Sequence, residues 1–290
     1  PDSELPESYD FTNFEGFDFT GPVRDQGSCG SCYTVSFAQV VESRLKLKYG
    51  QDVPELSSQY LMTCNYMNEG CDGGWSFFHG YLAENGHLVD ETCAPYLGKT
   101  KGETCAQYEK CKPIARVHDS FFIGGAYGQS SEQKMMKEIL RNGIVNGELN
   151  VPRVFSFYQE GILSNDHEAK MSSYLEYSGV ASHHKEAQQM IGTDEQKKSR
   201  AQITNRSLDD YGIAWMNLNH SVVIVGWGVD DKTGTKYWKV RNSYGEKWGM
   251  KGDFLVRRGE NDFGIESETT AYDTRLCTAD SKDKCIEVKL

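Results

Sequence analysis

The chain has 290 residues, 38% hydrophobic and 12% aromatic, enough to fill one large domain or two closely packed halves. A formal charge of −11 argues against nucleic acid, which wants a basic face. No apolar run approaches the roughly 20 residues of a membrane span. The opening "PDSELPESYDF" has neither the basic nor the apolar part of a signal peptide, so the chain reads as cytosolic or as a form already trimmed.

Residues 1–31 read as extended and turn-rich, with aromatics spaced through "YDFTNFEGFDF". The stretch "QGSCGSCYTVSF" (26–37) then sets Cys29 and Cys32 three apart. From Cys32 onward, Val35, Phe37, Ala38, Val40, Val41 and Leu45 recur at helical spacing. They predict a long amphipathic helix to about Lys48, stopped by Tyr49-Gly50, with Cys32 in its first turn. "SSQYLMTC" (57–64), "SFFHGYLAENG" (76–86) and "QKMMKEILRNG" (133–143) read as shorter helices, the last two stopped by Asn-Gly pairs.

Residues 164–213 are polar and without sustained periodicity, and read as a solvated surface insertion. A sharper reading makes "KKSR" (197–200) a processing site; His183-His184 are expected to face solvent rather than a metal. The period then changes. "HSVVIVGWGV" (220–229), "KYWKVRN" (236–242) and "GDFLVRRG" (252–259) are β-rich runs separated by Gly-containing turns. Helices first and strands afterwards suggest an α+β protein of two unlike lobes.

Nine cysteines are an odd count, which in an oxidising compartment means four bridges and a spare thiol. Zinc would need a second close cluster or nearby histidines, and no second CxxC occurs. A redox pair would need a strand-to-helix setting that "CGSC" lacks. One reactive thiol among bridged neighbours is the better reading. A thiol attacks as thiolate, favoured at a helix N-terminus beside a histidine, and Cys32 has the helix. Of seven histidines, His220 opens a predicted strand, a rigid seat for an imidazole. Asn242, at the following hairpin, can orient it, while Gln26 and the Cys32 backbone N–H can supply oxyanion donors.

"QGSCGSCY", "NHSVVIVGWG" and "YWKVRNSYGEKWGMKGDF" together resemble the papain-like cysteine peptidases. The likeness covers the chain except residues 164–213 and the tail 276–290. It implies a two-lobed α+β fold over residues 1–290. A helical lobe (about 20–125) would carry the long central helix, and an antiparallel β-rich lobe (about 126–275, with part of the N-terminus) would face it across a cleft. It also implies Cys32 as nucleophile, His220 as base and then acid, Asn242 as its orienter and Gln26 in the oxyanion hole. Cys29 becomes structural, paired with Cys71, and Gly73 and Gly74 present backbone to an extended substrate. Cys32 and His220 lie 188 residues apart (220 − 32 = 188) against the family's roughly 130–150, and the insertion accounts for the excess. It is expected to overhang the cleft or to be cut out during maturation.

Within the family, Tyr33 after the nucleophile, "CAPYLGKTKGETCAQYEKC" (93–111), "FFIGGAYG" (121–128) and "RRGENDFGIES" (257–267) resemble the dipeptidyl peptidase I (cathepsin C) branch. That likeness implies removal of N-terminal dipeptides, the pairs Cys64–Cys105 and Cys93–Cys111, and Ile265 in the substrate pocket. Cys277 and Cys285 are left to close a loop in the tail. Members of that branch hold chloride through tyrosine hydroxyls near the S2 pocket; the matching positions here are Phe77 and Phe122, beside Trp75. Without those donors the pocket is expected to be more apolar, chloride is not expected, and no metal or other cofactor is needed. Tyr244 stands where a tryptophan usually shields the histidine. No segment resembles the branch's exclusion domain, so that element would be a separate chain or absent. Expected partners are peptide or protein substrates, with an exclusion-domain chain and homo-oligomerisation as further implications. The inferred bridges imply an endolysosomal or secreted protein, with Asn205 as its glycan site and Asn219, beside His220, left bare. Two other readings stay open: an endopeptidase with an open cleft, and a papain-fold binding component without turnover.

Overall fold

The structure is a computed structural model and describes residues 5–152, 155–166 and 218–277. The Asn205 sequon, Cys285, the tail beyond Cys277 and almost all of the 164–213 insertion therefore lie outside the described residues.

Helix α1 (Cys32–Tyr49) is the central element. It ends at Gly50, whose left-handed backbone (φ 97°) returns its N–H to Lys46 O at 2.9 Å. The helix is not amphipathic as its spacing suggested, because Tyr33 through Lys46 are all buried. Most of its polar members survive burial because they find partners, although Ser43 Oγ has none among the described residues. Glu42 accepts from Arg24 at 2.5 Å and from the Leu56 N–H at 2.6 Å, and Arg44 reaches Ile144 O at 3.0 Å and Glu138 at 2.9 Å. Helices α2 (Ser58–Cys64) and α3 (Ser76–Asn85) flank α1, and α2 opens on Ser57, whose hydroxyl accepts from the Tyr60 N–H at 2.9 Å. Three disulfides, Cys29–Cys71, Cys64–Cys105 and Cys93–Cys111, staple this helical lobe in the pairs the resemblance implied. Cys277 is also disulfide-bonded.

The other lobe is built on one sheet, ordered β2-β8-β3-β5-β6-β7-β4 among the described residues, with β1 added to β5 off that path. Its strands are β1 (Tyr9–Asp10), β2 (Ala115–Phe122), β3 (Val145–Leu149), β4 (Ile162–Leu163), β5 (His220–Val229), β6 (Lys236–Arg241), β7 (Asp253–Arg257) and β8 (Thr269–Leu276). All pairs are antiparallel except β4 with β7. The meander β5–β6–β7 lies as predicted, but β1–β4 all precede the insertion and are interleaved with the helices, α4 (Glu132–Asn142) coming just before β3, so helices and strands are not cleanly segregated. Gly226 is required where β1 crosses β5, since a Cβ there would lie 2.1 Å from Tyr9 O. The lobes join through α1: Phe37 meets Tyr272 of β8 edge-on at 4.7 Å, within a core that continues through Ile224, Trp238 and Phe254.

Candidate active site

Cys32 opens α1, is partly exposed, and is the free cysteine among the described residues. The first turn carries no acidic side chain, so no carboxylate within the helix offsets the positive end of its dipole at the sulfur. The sulfur accepts from the backbone N–H groups of Ser221, Tyr33 and Cys32 itself. Burial pushes the thiol up, and these donors act against that push. The contact with Ser221 crosses from α1 to β5, reaching the residue that follows His220, the first of that strand.

His220 is 4% exposed, and its Nε2 lies 2.7 Å from Asn242 Oδ1. That oxygen can only accept, and it also accepts from the Ser243 N–H at 2.8 Å, so the proton sits on Nε2 and Nδ1 is left as the exchanging nitrogen. Burial holds the imidazole below its ordinary range, while the Asn242 bond and the Glu148 carboxyl favour its charged form. Tyr244 lies 5.2 Å from the imidazole ring and Phe155 lies 5.9 Å away, with Trp248 behind both. Tyr244 thus occupies the shield expected of it. Phe155 escaped the sequence analysis because nothing in its local pattern marks it; it arrives in a short turn of helix after β3. Water kept off the Nε2–Oδ1 bond makes that bond stronger and its geometry tighter.

Gln26 is buried and held at both ends: Nε2 donates to Cys29 O at 2.8 Å and Oε1 accepts from Ser243 Oγ at 2.5 Å. Its backbone N–H reaches Ser243 O at 2.9 Å. One Nε2 hydrogen remains for a developing oxyanion, alongside the Cys32 N–H. Ser243 therefore ties Gln26 of one lobe to Asn242 of the other, a role only the tertiary structure exposes.

The expected substrate-binding residues fall into three groups. Gly73 and Gly74 follow the Cys29–Cys71 bridge, and Gly30 N–H donates to Cys71 O at 2.9 Å. The Asn68 carboxamide brackets Trp75, accepting from its N–H at 2.8 Å and donating to its carbonyl at 3.3 Å. A Cβ on Gly74 would lie 2.4 Å from Asn68 Oδ1, which explains the glycine. Phe77 and Phe122 stack at 4.6 Å, so the resemblance aligned two side chains that the fold does bring together. Ile265 is a correction: it is fully buried, near the Gly147 backbone, and offers no surface to a substrate.

Two carboxyl side chains stand on adjoining segments, Glu148 in β3 and Glu268 just before β8, with Glu148 N–H donating to Glu268 O at 3.1 Å. Glu148 accepts from Ser76 Oγ at 3.0 Å and from the Ser221 hydroxyl, which meets Ser36 Oγ at 2.6 Å. Burial and Glu268 push Glu148 well above the carboxylate range, and burial raises Glu268 to about 7. Sequence reasoning passed over both because the signal is positional: an acidic side chain at an inward strand position is visible only once the register is known. Phe77 and Phe122 carry no hydrogen-bond donor for an anion. Among the described residues no group of three or more His, Cys, Asp or Glu is placed to hold a metal; His183-His184 lie outside them. No helix among the described residues is long and apolar enough to cross a membrane.

A family model described as papain family cysteine protease matches residues 5–203 and 207–272. Cathepsin C of Schistosoma mansoni is 33% identical over 257 residues, which make up 88% of this chain and 48% of that protein. Pro-cathepsin H of Bos taurus is 30% identical over 250 residues, 85% of this chain and 59% of its own length. The chain thus spans between about half and three-fifths of these relatives. The bromelain protease from Ananas comosus superposes with a TM-score of 0.66 at 22% identity, covering 92% of this chain and 99% of that one.

Proposed function

Because this chain belongs to the papain family of cysteine proteases, we propose that it hydrolyses peptide bonds with Cys32, His220 and Asn242. The observation that carries the reading is the 2.7 Å bond from His220 Nε2 to Asn242 Oδ1, with a helix-capped thiol beside the histidine's strand. Burial favours the neutral form of each group taken alone. Moving the thiol proton to Nδ1 creates opposite charges side by side, one met by the helix N-terminus and the other by Asn242.

The thiolate attacks the carbonyl carbon, and the C=O electron pair moves to an oxygen held by Gln26 Nε2 and the Cys32 N–H. His220 gives its Nδ1 proton to the leaving amine as the C–N bond breaks, leaving a thioester on Cys32. A water deprotonated by Nδ1 attacks the thioester, the carboxylic acid departs, and the thiol is restored.

Within that chemistry we propose removal of N-terminal dipeptides. The 93–111 cysteine pattern and the relatedness to a cathepsin C support this reading. An exclusion-domain chain would then close the cleft and hold the amine. The second reading is an endopeptidase, favoured by relatedness to other cathepsins. Three disulfides favour a lysosomal or secreted site of action. A free-amine dipeptidyl fluorogenic amide beside its N-blocked twin, with Cys32→Ala as control, tests the choice. Cleavage of the free-amine substrate alone is expected; cleavage of the blocked one makes the enzyme an endopeptidase, and cleavage of neither removes the peptidase reading.

A further inference from the structure

Helix α1 begins in a way its sequence does not explain. Ser31 is the residue before the helix, and a serine there ordinarily turns its hydroxyl back to accept an N–H of the first turn. Here the side chain makes no such bond. Its hydroxyl instead meets the Tyr96 hydroxyl, from the segment after α3, at 2.5 Å. Tyr96 has a single proton there and gives it to Gln26 O at 2.9 Å, so the Ser31 hydroxyl is the donor to Tyr96.

The forgone cap leaves donors open at the nucleophile. The N–H groups of Thr34 and Val35 return to Ser31 O at 3.0 Å each. The other two of the first turn, on Cys32 and Tyr33, donate to the Cys32 sulfur. A capping serine takes the second or third N–H of its helix, and the second is that of Tyr33. Hydroxyl and sulfur therefore compete for one donor, and Tyr96 takes the hydroxyl out of the competition. Tyr96 is itself anchored: its N–H donates to Glu91 Oε1 at 2.6 Å, and the next, of Leu97, donates to Gln59 Oε1 at 2.9 Å. Burial and the charges of Asp25, Cys32 and Glu91 hold its hydroxyl above the ordinary tyrosine range, so it stays a donor to Gln26.

We propose that Tyr96 is a positioning residue for the nucleophile: it withholds the Ser31 hydroxyl from the helix N-terminus and so reserves the Tyr33 N–H for the Cys32 thiolate. This rests on the cysteine-peptidase reading and adds to it a residue that acts only through its neighbours. Ser31 is fully buried, so without the Tyr96 oxygen its hydroxyl must find another partner. The open group that a serine at that position reaches is the Tyr33 N–H.

The test follows alkylation of Cys32 by iodoacetamide against pH in the whole chain, because that reaction needs the thiolate but no oxyanion donor. Tyr96→Phe should raise the acidic midpoint by about one pH unit, the worth of one lost hydrogen bond to a charged group. Adding Ser31→Ala should bring the midpoint back, since the competitor for the Tyr33 N–H is then gone. Besides His220 and Tyr96 itself, the titratable groups facing the sulfur are Glu148, Tyr33 and Tyr244, and none of them differs between the variants. An unmoved midpoint in Tyr96→Phe, or a shift that Ser31→Ala does not relieve, overturns the proposal. So does a fall in kcat without a shift, which would mean that Tyr96 acts only through the Gln26 carbonyl. Should Tyr96→Phe not fold, Ser31→Ala alone decides. With the hydroxyl already off the helix the midpoint is expected to stay in place, and a fall would show that Ser31 was capping all along. A wild-type Cys32 that alkylates as an ordinary thiol removes the peptidase reading, whereas the shift and its relief decide Tyr96 in either case.

Discussion

The two walls of the site are held by different physics. On the helical side, α2 and the loops that follow α3 cover a small satellite cluster of Tyr60, Val89, Ala94, Tyr108 and Cys111, and three disulfides tie these segments together and to the turn before Cys32. On the sheet side, His220 and Asn242 stand on strands fixed by register and by a continuous apolar core, with no disulfide linking those strands. Loops that cannot bury enough apolar area are fixed by restricting their unfolded state, whereas the sheet is fixed by burial in the folded one. A thiol that must meet a substrate can sit on the stapled wall; an imidazole that needs dry surroundings belongs in the packed one.

The contrast can be broken in four places. The largest effect is expected from Cys32→Ala, which should lower kcat by about 10⁴-fold or more while thermal unfolding stays within a few degrees. Hydrolysis surviving that change would move the chemistry to another group. On the packed wall, Phe155→Ala should destabilise by about 3–5 kcal/mol in urea unfolding. It should also alter the acid limb of the rate profile, because the Nε2–Oδ1 bond loses its shield.

Removing the Cys93–Cys111 bridge as a double alanine variant frees a loop of 18 residues and should cost about 3 kcal/mol. Hydrogen exchange should then rise around Val89 and Tyr108 but not along β5 and β6. Equal loss of protection in the sheet would show that the walls unfold as one. The smallest effect concerns pH. Glu268 is raised from 4.5 to about 7 in the folded state, so the native chain binds the extra proton between those values. Its contribution to stability is full below about 4.5 and is lost as pH rises through about 7. Glu268→Gln should flatten that part of the Tm–pH curve, and an unchanged slope would place the titration elsewhere.

How much was legible beforehand follows from the same contrast. Cys32, Gln26, His220 and Asn242 stood out because acyl transfer needs particular chemical types at the starts and ends of elements, and a motif records type and order. The helix from Cys32 was legible in its spacing, but its burial on all sides was not, because the partners of Glu42 and Arg44 come from Arg24, Leu56 and Glu138. Strand β3 was missed as the neighbour of β5: "VNGEL" has no apolar alternation, and its place depends on β8 from the far end of the chain. The two glutamates were missed with it, as were Phe155 and Ser243, whose roles exist only across tertiary contacts.

Ser243 couples three positions in descent. Its backbone N–H and carbonyl and its hydroxyl are all committed, to Asn242 Oδ1, to the Gln26 N–H and to Gln26 Oε1. Positions 26, 242 and 243 therefore cannot drift one at a time, since a change at any of them releases an amide that another was holding. Related lineages are expected to keep or exchange the three as a set, and a grafted catalytic pair would need the serine transplanted with it.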